Sequence, residues 1–330
     1  NTFDWSPTVK IFSTRTLLLA LGGQSLLAFA AEQDDATGFI EGSQWNLLNR
    51  SVYDRRDYQH GAVSNGARNA YKPRAERSDL AEEWAYGLMA DYTSGFTTGT
   101  VGFGLDAHAY LALKLDSGRG RNRSDMFPMK SNGASRDEST SAGAAVKMRI
   151  SRSELKYGDL RPYNPVFALA DTRMFPATAT GFMFTSSEID DLYIDAGHFT
   201  SGKDYNQTHG DGDFFAGYAG VKGGNVDYLG GSYGIDDNTS VTLYTSRYED
   251  LWRQHYLNGN YTLPLGEQRA LNLDANIYRT TEQGQALAGN IDVTAWSLAA
   301  AYSIGAHTLT LGYQKIHGDQ PLDYLVMSGG

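Results

Sequence analysis

The sequence predicts an all-β fold, a transmembrane antiparallel up-and-down β-barrel, and three observations carry the prediction. From residue 39 onward polarity alternates with a period of two, as strands require, and not with the helical period of 3.6. The strands are long, many reaching the roughly 9–11 residues needed to cross a bilayer at a tilt. The connections alternate between short turns and long loops, which is the rhythm of an outer-membrane barrel. A closed sheet is also the one sheet that spans lipid without unpaired backbone groups.

The segment VGFGLDAHAYLALKLD (101–116) shows the pattern most fully. Val101, Phe103, Leu105, Ala107, Ala109, Leu111, Leu113 and Leu115 make one apolar face. Asp106, His108, Tyr110 and Lys114 lie on the other. The same alternation assigns strands to 39–53, 83–94, 100–116, 143–151, 155–161, 181–185 and 191–200, then to 226–235, 239–249, 253–263, 269–280, 292–304 and 307–317. A fourteenth is expected to begin near Tyr324. The polar faces are mostly Gly, Ala, Ser, Asn and Tyr, which suits a narrow wet lumen better than an open solvated sheet. Trp45, Trp84, Trp296 and many tyrosines fall near strand ends or on the apolar face, as interfacial girdle residues do.

Ahead of the strands, Lys10 and Arg15 precede an apolar run from Leu17 to Phe29 that ends in Ala28-Phe29-Ala30. Residues 1–30 therefore read as a leader containing a Sec-type signal peptide, and 31–330 as the barrel. The 330 residues include 37 Gly, 21 Tyr and no Cys, so neither a disulfide frame nor a Cys-ligated zinc is available. A formal net charge of −10 disfavours nucleic acid as a partner. No cofactor, nucleotide or resident metal is implied. Asp211 and Asp213 in a solvated loop are a weak cation motif.

Strand parity also places charges inside. Arg50, Lys114, Lys147, Arg149 and Lys156 face inward on neighbouring strands, and Asp195 and Asp274 belong to later strands on the opposite wall. A basic wall facing a weakly acidic one would set a transverse field across the lumen. The segment RPYNPVFALADTRMFPATATG (161–181) holds three of the eight prolines and an apolar centre, Val166 to Leu169. It is expected to fold into the lumen, with Asp171 and Arg173 as charges at the constriction. The alternative is a packed plug in which those two charges pair with each other.

Several stretches resemble the OprD family of substrate-specific outer-membrane porins: GFIEGSQWNLLNRSVYDRRDY, KMRISRSELKYGDLRP, NPVFALADTRMFPATATGF, SSEIDDLYIDAGHF and SVTLYTSRYEDLWRQHYLNGNYTLPLG. The resemblance runs from about residue 38 to the end. It implies a barrel of about eighteen strands, of which this sequence carries roughly the first 13–14. The sequence stops at DYLVMSGG without a closing aromatic strand, which makes the chain either a fragment or the product of a truncated gene. It further implies passive uptake of small carboxylate-bearing solutes along an Arg/Lys ladder (Arg50, Lys147, Arg149, Lys156 and Arg161, with Lys114 added from parity) past an inward third loop carrying Asn164, Pro165, Asp171 and Arg173. That loop resembles the OccK-like branch, which prefers aromatic or cyclic acids to basic amino acids. Implied partners are outer-membrane lipid and lipopolysaccharide and, during biogenesis, the barrel-assembly machinery, and the implied state is a monomer or loose trimer. The location implied is the outer membrane of a Gram-negative bacterium. The competing functions are a general unselective porin and, further off, a barrel hydrolase built around His108 and Asp106.

Overall fold

The computed structural model describes residues 33–57, 80–116, 124–131, 134–323 and 325–327. The leader assigned to residues 1–30 lies outside the described residues. Thirteen strands form one antiparallel sheet in which each pairs with its neighbours along the chain. They are β1 (Gln44–Asp57), β2 (Leu80–Thr93), β3 (Val101–Asp116), β4 (Glu138–Ile150), β5 (Ser153–Leu160), β6 (Thr178–Ser186) and β7 (Leu192–Lys203), followed by β10 (Val226–Asp236), β11 (Thr239–Tyr248), β12 (Trp252–Pro264), β13 (Arg269–Glu282), β14 (Asp292–Ile304) and β15 (His307–His317). Between β7 and β10 lie the short strands β8 (Phe214–Ala216) and β9 (Val221–Lys222).

The expected strands are present with shifted ends. β1 starts at Gln44 and not at residue 39, while β2 and β4 start earlier, at Leu80 and Glu138. Ser124 of the long loop after β3 covers Glu83 and donates to it through its amide and hydroxyl, so the polarity of Glu83 marks burial under a loop and not a strand end. The fourteenth strand is a correction. Tyr324 lies outside the described residues, and Leu325–Met327 forms β16, which pairs with β8 in a separate sheet ordered β16-β8-β9. Its partner Phe214 is buried in an apolar cluster on the inner face of the main sheet, so this small sheet lines the interior and does not extend the wall.

The parity read from the sequence holds along the wall. Ala81, Ala85 and Met89 of β2 are buried, and Trp84, Tyr86 and Leu88 between them are exposed. Aromatics on the outer face pair across strands, with ring centroids of Trp45 and Tyr92 4.9 Å apart, Tyr157 and Phe182 4.4 Å, and Trp296 and Tyr313 5.4 Å. An apolar outer face of this extent is stable only when covered by lipid.

The wall is pinched where the interior is most crowded. Gly158 has φ +141°, a conformation L side chains rarely adopt, and a Cβ there would meet the backbone of Ala144 and Ala145. Its cross-strand partner Gly181 sits beside the register shift at Thr180/Gly181. A β-bulge of this kind bends the strand, and here it stands at the foot of the third long loop.

Outer-face depth gives a test. Leu273→Arg, near the middle of the apolar band, should lower the free energy of folding into phosphatidylcholine bilayers by about 2–4 kcal/mol. Leu257→Arg, near the long-loop edge, should cost about 0–1 kcal/mol. Denaturant titration of the whole protein in vesicles measures both, and equal costs would contradict this placement.

Candidate lumenal site

Inward side chains of β1 to β7 build a column of charge that climbs the wall. Register places Arg149 opposite Gly102, Lys147 opposite Gly104, Asp91 opposite His108, and Arg50 opposite Gly87, whose other neighbour is Ala112. From Gly102 to Lys114 at about 3.4 Å per residue and a tilt of about 40°, the column rises roughly 30 Å.

Each cation in it is engaged. At the short-turn end the Arg149 Nε–H donates to Gln33 Oε1 at 3.0 Å, and its guanidinium lies 4.1 Å from the Phe96 ring centroid. Gln33 itself donates to the carbonyls of Thr97 and Gly99. One step up, Asp106 receives Lys147 at 2.6 Å and Lys156 at 2.8 Å, and Lys156 also reaches Glu154 at 3.0 Å. Above these, Arg161 holds Asp91 at 2.9 Å and stands 5.3 Å from the Tyr110 ring centroid. Arg50 forms a fork on Asp171, at 2.6 and 3.1 Å. At the long-loop end Lys114 and Lys130 both bond Asp137, at 2.7 and 2.9 Å, and this pair of ammonium donors holds the exposed Asp137 carboxyl down to about 2.

The expected field, basic wall against acidic wall, is therefore corrected. Asp91, Asp106 and Asp159 stand on the same wall as the cations they balance. A buried ammonium without a partner costs several kcal/mol, so a narrow lumen interleaves its charges. The later acids do other work. Asp195 is buried and accepts from Tyr228 Oη at 2.9 Å, Asn164 Nδ2 at 3.2 Å and Tyr244 Oη at 3.5 Å, which makes it an anchor for the third loop. Asp274 accepts from Asn258 and Asn260, at 2.9 and 3.0 Å, and from Asn276, within an asparagine ladder on β12 and β13.

The third loop crosses the interior. Asn164 Oδ1 accepts the Val166 and Phe167 amides, a local turn that half-buries Pro165 and presents Val166 and Phe167 to the far wall. There Phe167 packs with Phe199, Phe214, Tyr228 and Tyr248, whose hydroxyl donates to the Val166 carbonyl. At its other end Met174 and Phe175 pack with Ala85, Met89, Tyr110 and Ala112 of β2 and β3. Gly87 makes room for this end, since a Cβ there would lie 2.7 Å from Met174 Cε. Between the two anchors, Asp171 is tied to Arg50 of β1, whose Nη1 also donates to the Arg173 carbonyl at 2.7 Å. Asp171 and Arg173 do not pair with each other. The Arg173 guanidinium lies 5.4 Å from the Tyr205 ring centroid, next to Asp204.

Sequence reasoning missed Lys203. Its Nζ is buried and donates to the Ala142 carbonyl at 2.9 Å and to Asp159 at 3.1 Å. The expected strand stopped at residue 200, and three more residues carry Lys203 under the loops. His108 is buried beside Asp159, at 3.7 Å, and stacks on Tyr110, while both oxygens of its supposed partner Asp106 are taken by lysines.

A long-stranded antiparallel wall with an apolar exterior, a charged interior and a loop folded across it defines an outer-membrane β-barrel porin. The model of the OprD family of outer membrane porins matches residues 37–330, and the chain belongs to that family. It is 47% identical to Porin D of Pseudomonas aeruginosa over 298 residues, which cover 90% of this chain and 64% of that protein. The crystal structure of Pseudomonas aeruginosa OprD superposes with a TM-score of 0.72 at 43% identity, covering 90% of this chain and 65% of that one. The crystal structure of Pseudomonas aeruginosa OpdK with vanillate gives a TM-score of 0.76 at 30% identity, covering 87% and 70%. The family places the protein in the outer membrane of a Gram-negative bacterium.

Two tests follow from the site. Asp171→Asn removes the carboxylate held by Arg50 and leaves one more positive charge at the crossing, so the reversal potential in a salt gradient should move toward anion preference. An unchanged potential would show that this pair lies off the ion path. Burial raises the Asp204 carboxyl in the loop after β7 to about 6. A carboxyl so raised opposes the folded loop when ionised, fully above about pH 6, and ceases to as pH falls toward its ordinary value near 4. Once the intrinsic pH dependence of amide exchange is divided out, protection in this loop should therefore rise between pH 7 and pH 5, and Asp204→Asn should abolish the rise.

Proposed function

We propose that the whole protein is a passive, substrate-selective channel for small carboxylate-bearing solutes. One observation carries the reading: Arg161 is the most exposed of the column's lumenal arginines and lysines with a clear acid partner in the middle of the path, with 39% of its side chain accessible, and it lies within electrostatic reach of Arg50 and Asp171. Among the described residues Asp91 is its one short contact, which leaves guanidinium donors for a solute carboxylate that a guanidinium can engage with two parallel hydrogen bonds. The lysines and arginines above and below offer further stations, so a solute passes between weak sites and meets no deep trap.

Aromatic or cyclic acids are favoured over basic amino acids in this reading. Tyr110, buried between His108 and Phe175, lies beneath Arg161 and steadies its guanidinium for a planar carboxylate. OpdK, at 30% identity, was crystallised with vanillate, an aromatic carboxylate. The site residues of this path are the ladder Arg50, Lys114, Lys147, Arg149, Lys156 and Arg161, and the constriction Asn164, Pro165, Asp171 and Arg173. The reading requires no cofactor, energy source or chemical turnover. The barrel-assembly machinery, and a monomer or loose trimer, belong to the same reading.

Single-channel recording on the whole protein tests it. Benzoate should interrupt the current at concentrations where arginine and glucose do not, and Arg161→Ala should weaken that block about tenfold, the loss of one charge-assisted bond. Equal indifference to all three solutes would leave a general pore and sink the specific reading.

A further inference from the structure

The outer wall carries a basic rim that the lumenal pathway does not use. Register aligns its members in level rows across β7 and β10 to β15. The uppermost row runs His198, Asp227, Arg247, Arg253, Thr281, Asp292. The next holds Leu229, Thr245, His255, Arg279, Thr294 and His317. The third holds Leu243, Leu257, Ile277, Trp296 and Lys315. All three rows lie on the face opposite the buried Tyr228, Tyr248, Trp252 and Val293, so they look outward.

Two carboxylates serve this rim. Asp227 bonds His198 at 2.6 Å and Arg247 at 2.8 Å, and Asp292 bonds Arg279. Arg253, His255, Lys315 and His317 are exposed and hold no ion pair among the described residues. Three arginines and a lysine thus face two acids, an excess of positive charge, with three histidines beside them. Among the described residues the first strands show no such excess at this end. There the outward Arg55 faces Glu82 across β1 and β2.

The rim sits at one edge of the apolar band. Ten residues separate Leu265 at the short-turn end from His255, a rise of roughly 26 Å, which matches an apolar band about 25 Å tall. Long loops mark the outside of an outer-membrane barrel, so this edge is at the headgroups of the outer leaflet. A lipid seated there lays its acyl chains on Leu229, Leu243, Leu257 and Ile277 and its headgroup on the arginines. Arginine forks suit phosphate, and a basic cluster at a membrane interface selects anionic headgroups.

We propose that Arg247, Arg253, His255, Arg279 and Lys315 form an outer-leaflet site for a phosphorylated, multi-acyl glycolipid, the lipid A part of lipopolysaccharide. The fixed cations bind its phosphates directly, in place of divalent ions. The site is independent of the transported solute.

The experiment is native mass spectrometry of the whole protein in micelles doped with bis-phosphorylated lipid A or with its dephosphorylated form, in the presence of EDTA. Wild type should retain the phosphorylated lipid about tenfold better, given roughly 1 kcal/mol per interfacial Lys or Arg. The double variant Arg253→Gln, Lys315→Gln should lose most of that preference, and Arg269→Gln, outward at the short-turn end, should keep it. Heat-modified gel migration checks that each variant is folded, and should R253Q with K315Q fail to fold, R253Q alone is read against wild type. Equal retention of the two lipids by wild type, an undiminished preference in the variant, or full competition by millimolar inorganic phosphate would each overturn the lipid site.

Discussion

The structure depends on one constraint, that no backbone N–H or C=O can be left unpaired against hydrocarbon. Between β1 and β15 thirteen strands meet it by bonding side to side, with register broken at only a few places. Everything else is a consequence of that wall. Side chains alternate across it, so each strand contributes to two environments at once, and the residue type at each position is set by which environment it meets.

Confinement explains the interior. Charges that face a lumen narrowed by a loop lose much of their hydration, so the column compensates them locally, Lys147 and Lys156 on Asp106, Arg161 on Asp91, Arg50 on Asp171. In the proposed channel such pairs would offer a solute partial charge at every step and full charge at none. That suits conduction, because a fully bare guanidinium row would hold an anion too tightly to release it. Across the lumen the wall carries no cation column, and its acids Asp195 and Asp274 are held by tyrosine hydroxyls and an asparagine ladder. The third loop joins the two halves by planting Phe167 in one and Phe175 in the other.

Face assignment was legible in the sequence because parity is a local property. Val101 to Asp116 could be sorted inside from outside without knowing any neighbour. What parity cannot give is the partner. Asp159 lies at a strand end with no pattern of its own, yet it balances Lys203 and stands beside His108. Lys203 falls three residues past the expected end of its strand, where a small-residue run hides the alternation. Asp195 reads as a wall charge by parity, and only the fold of residues 161–177 shows that it is capped by Asn164 and serves as an anchor. The apolar centre of that loop did signal that it turns inward, since water would not tolerate Val166 and Phe167 exposed.

The same alternation makes the two charged surfaces inseparable. In β12 the aromatic Trp252 is buried in the inner cluster and Arg253, next to it, stands in the outer rim. A slip of one residue in register would exchange them, driving a guanidinium into the cluster of Tyr248, Phe167 and Val293 and leaving the indole outside. The penalty falls on both faces at once, and it recurs at Gln254 beside His255 and at Thr280 beside Arg279. Charge on the outside thus does more than meet lipid. It fixes the register that delivers the inward side chains of β12 and β13, Asn258 and Asp274 among them, to the lumen.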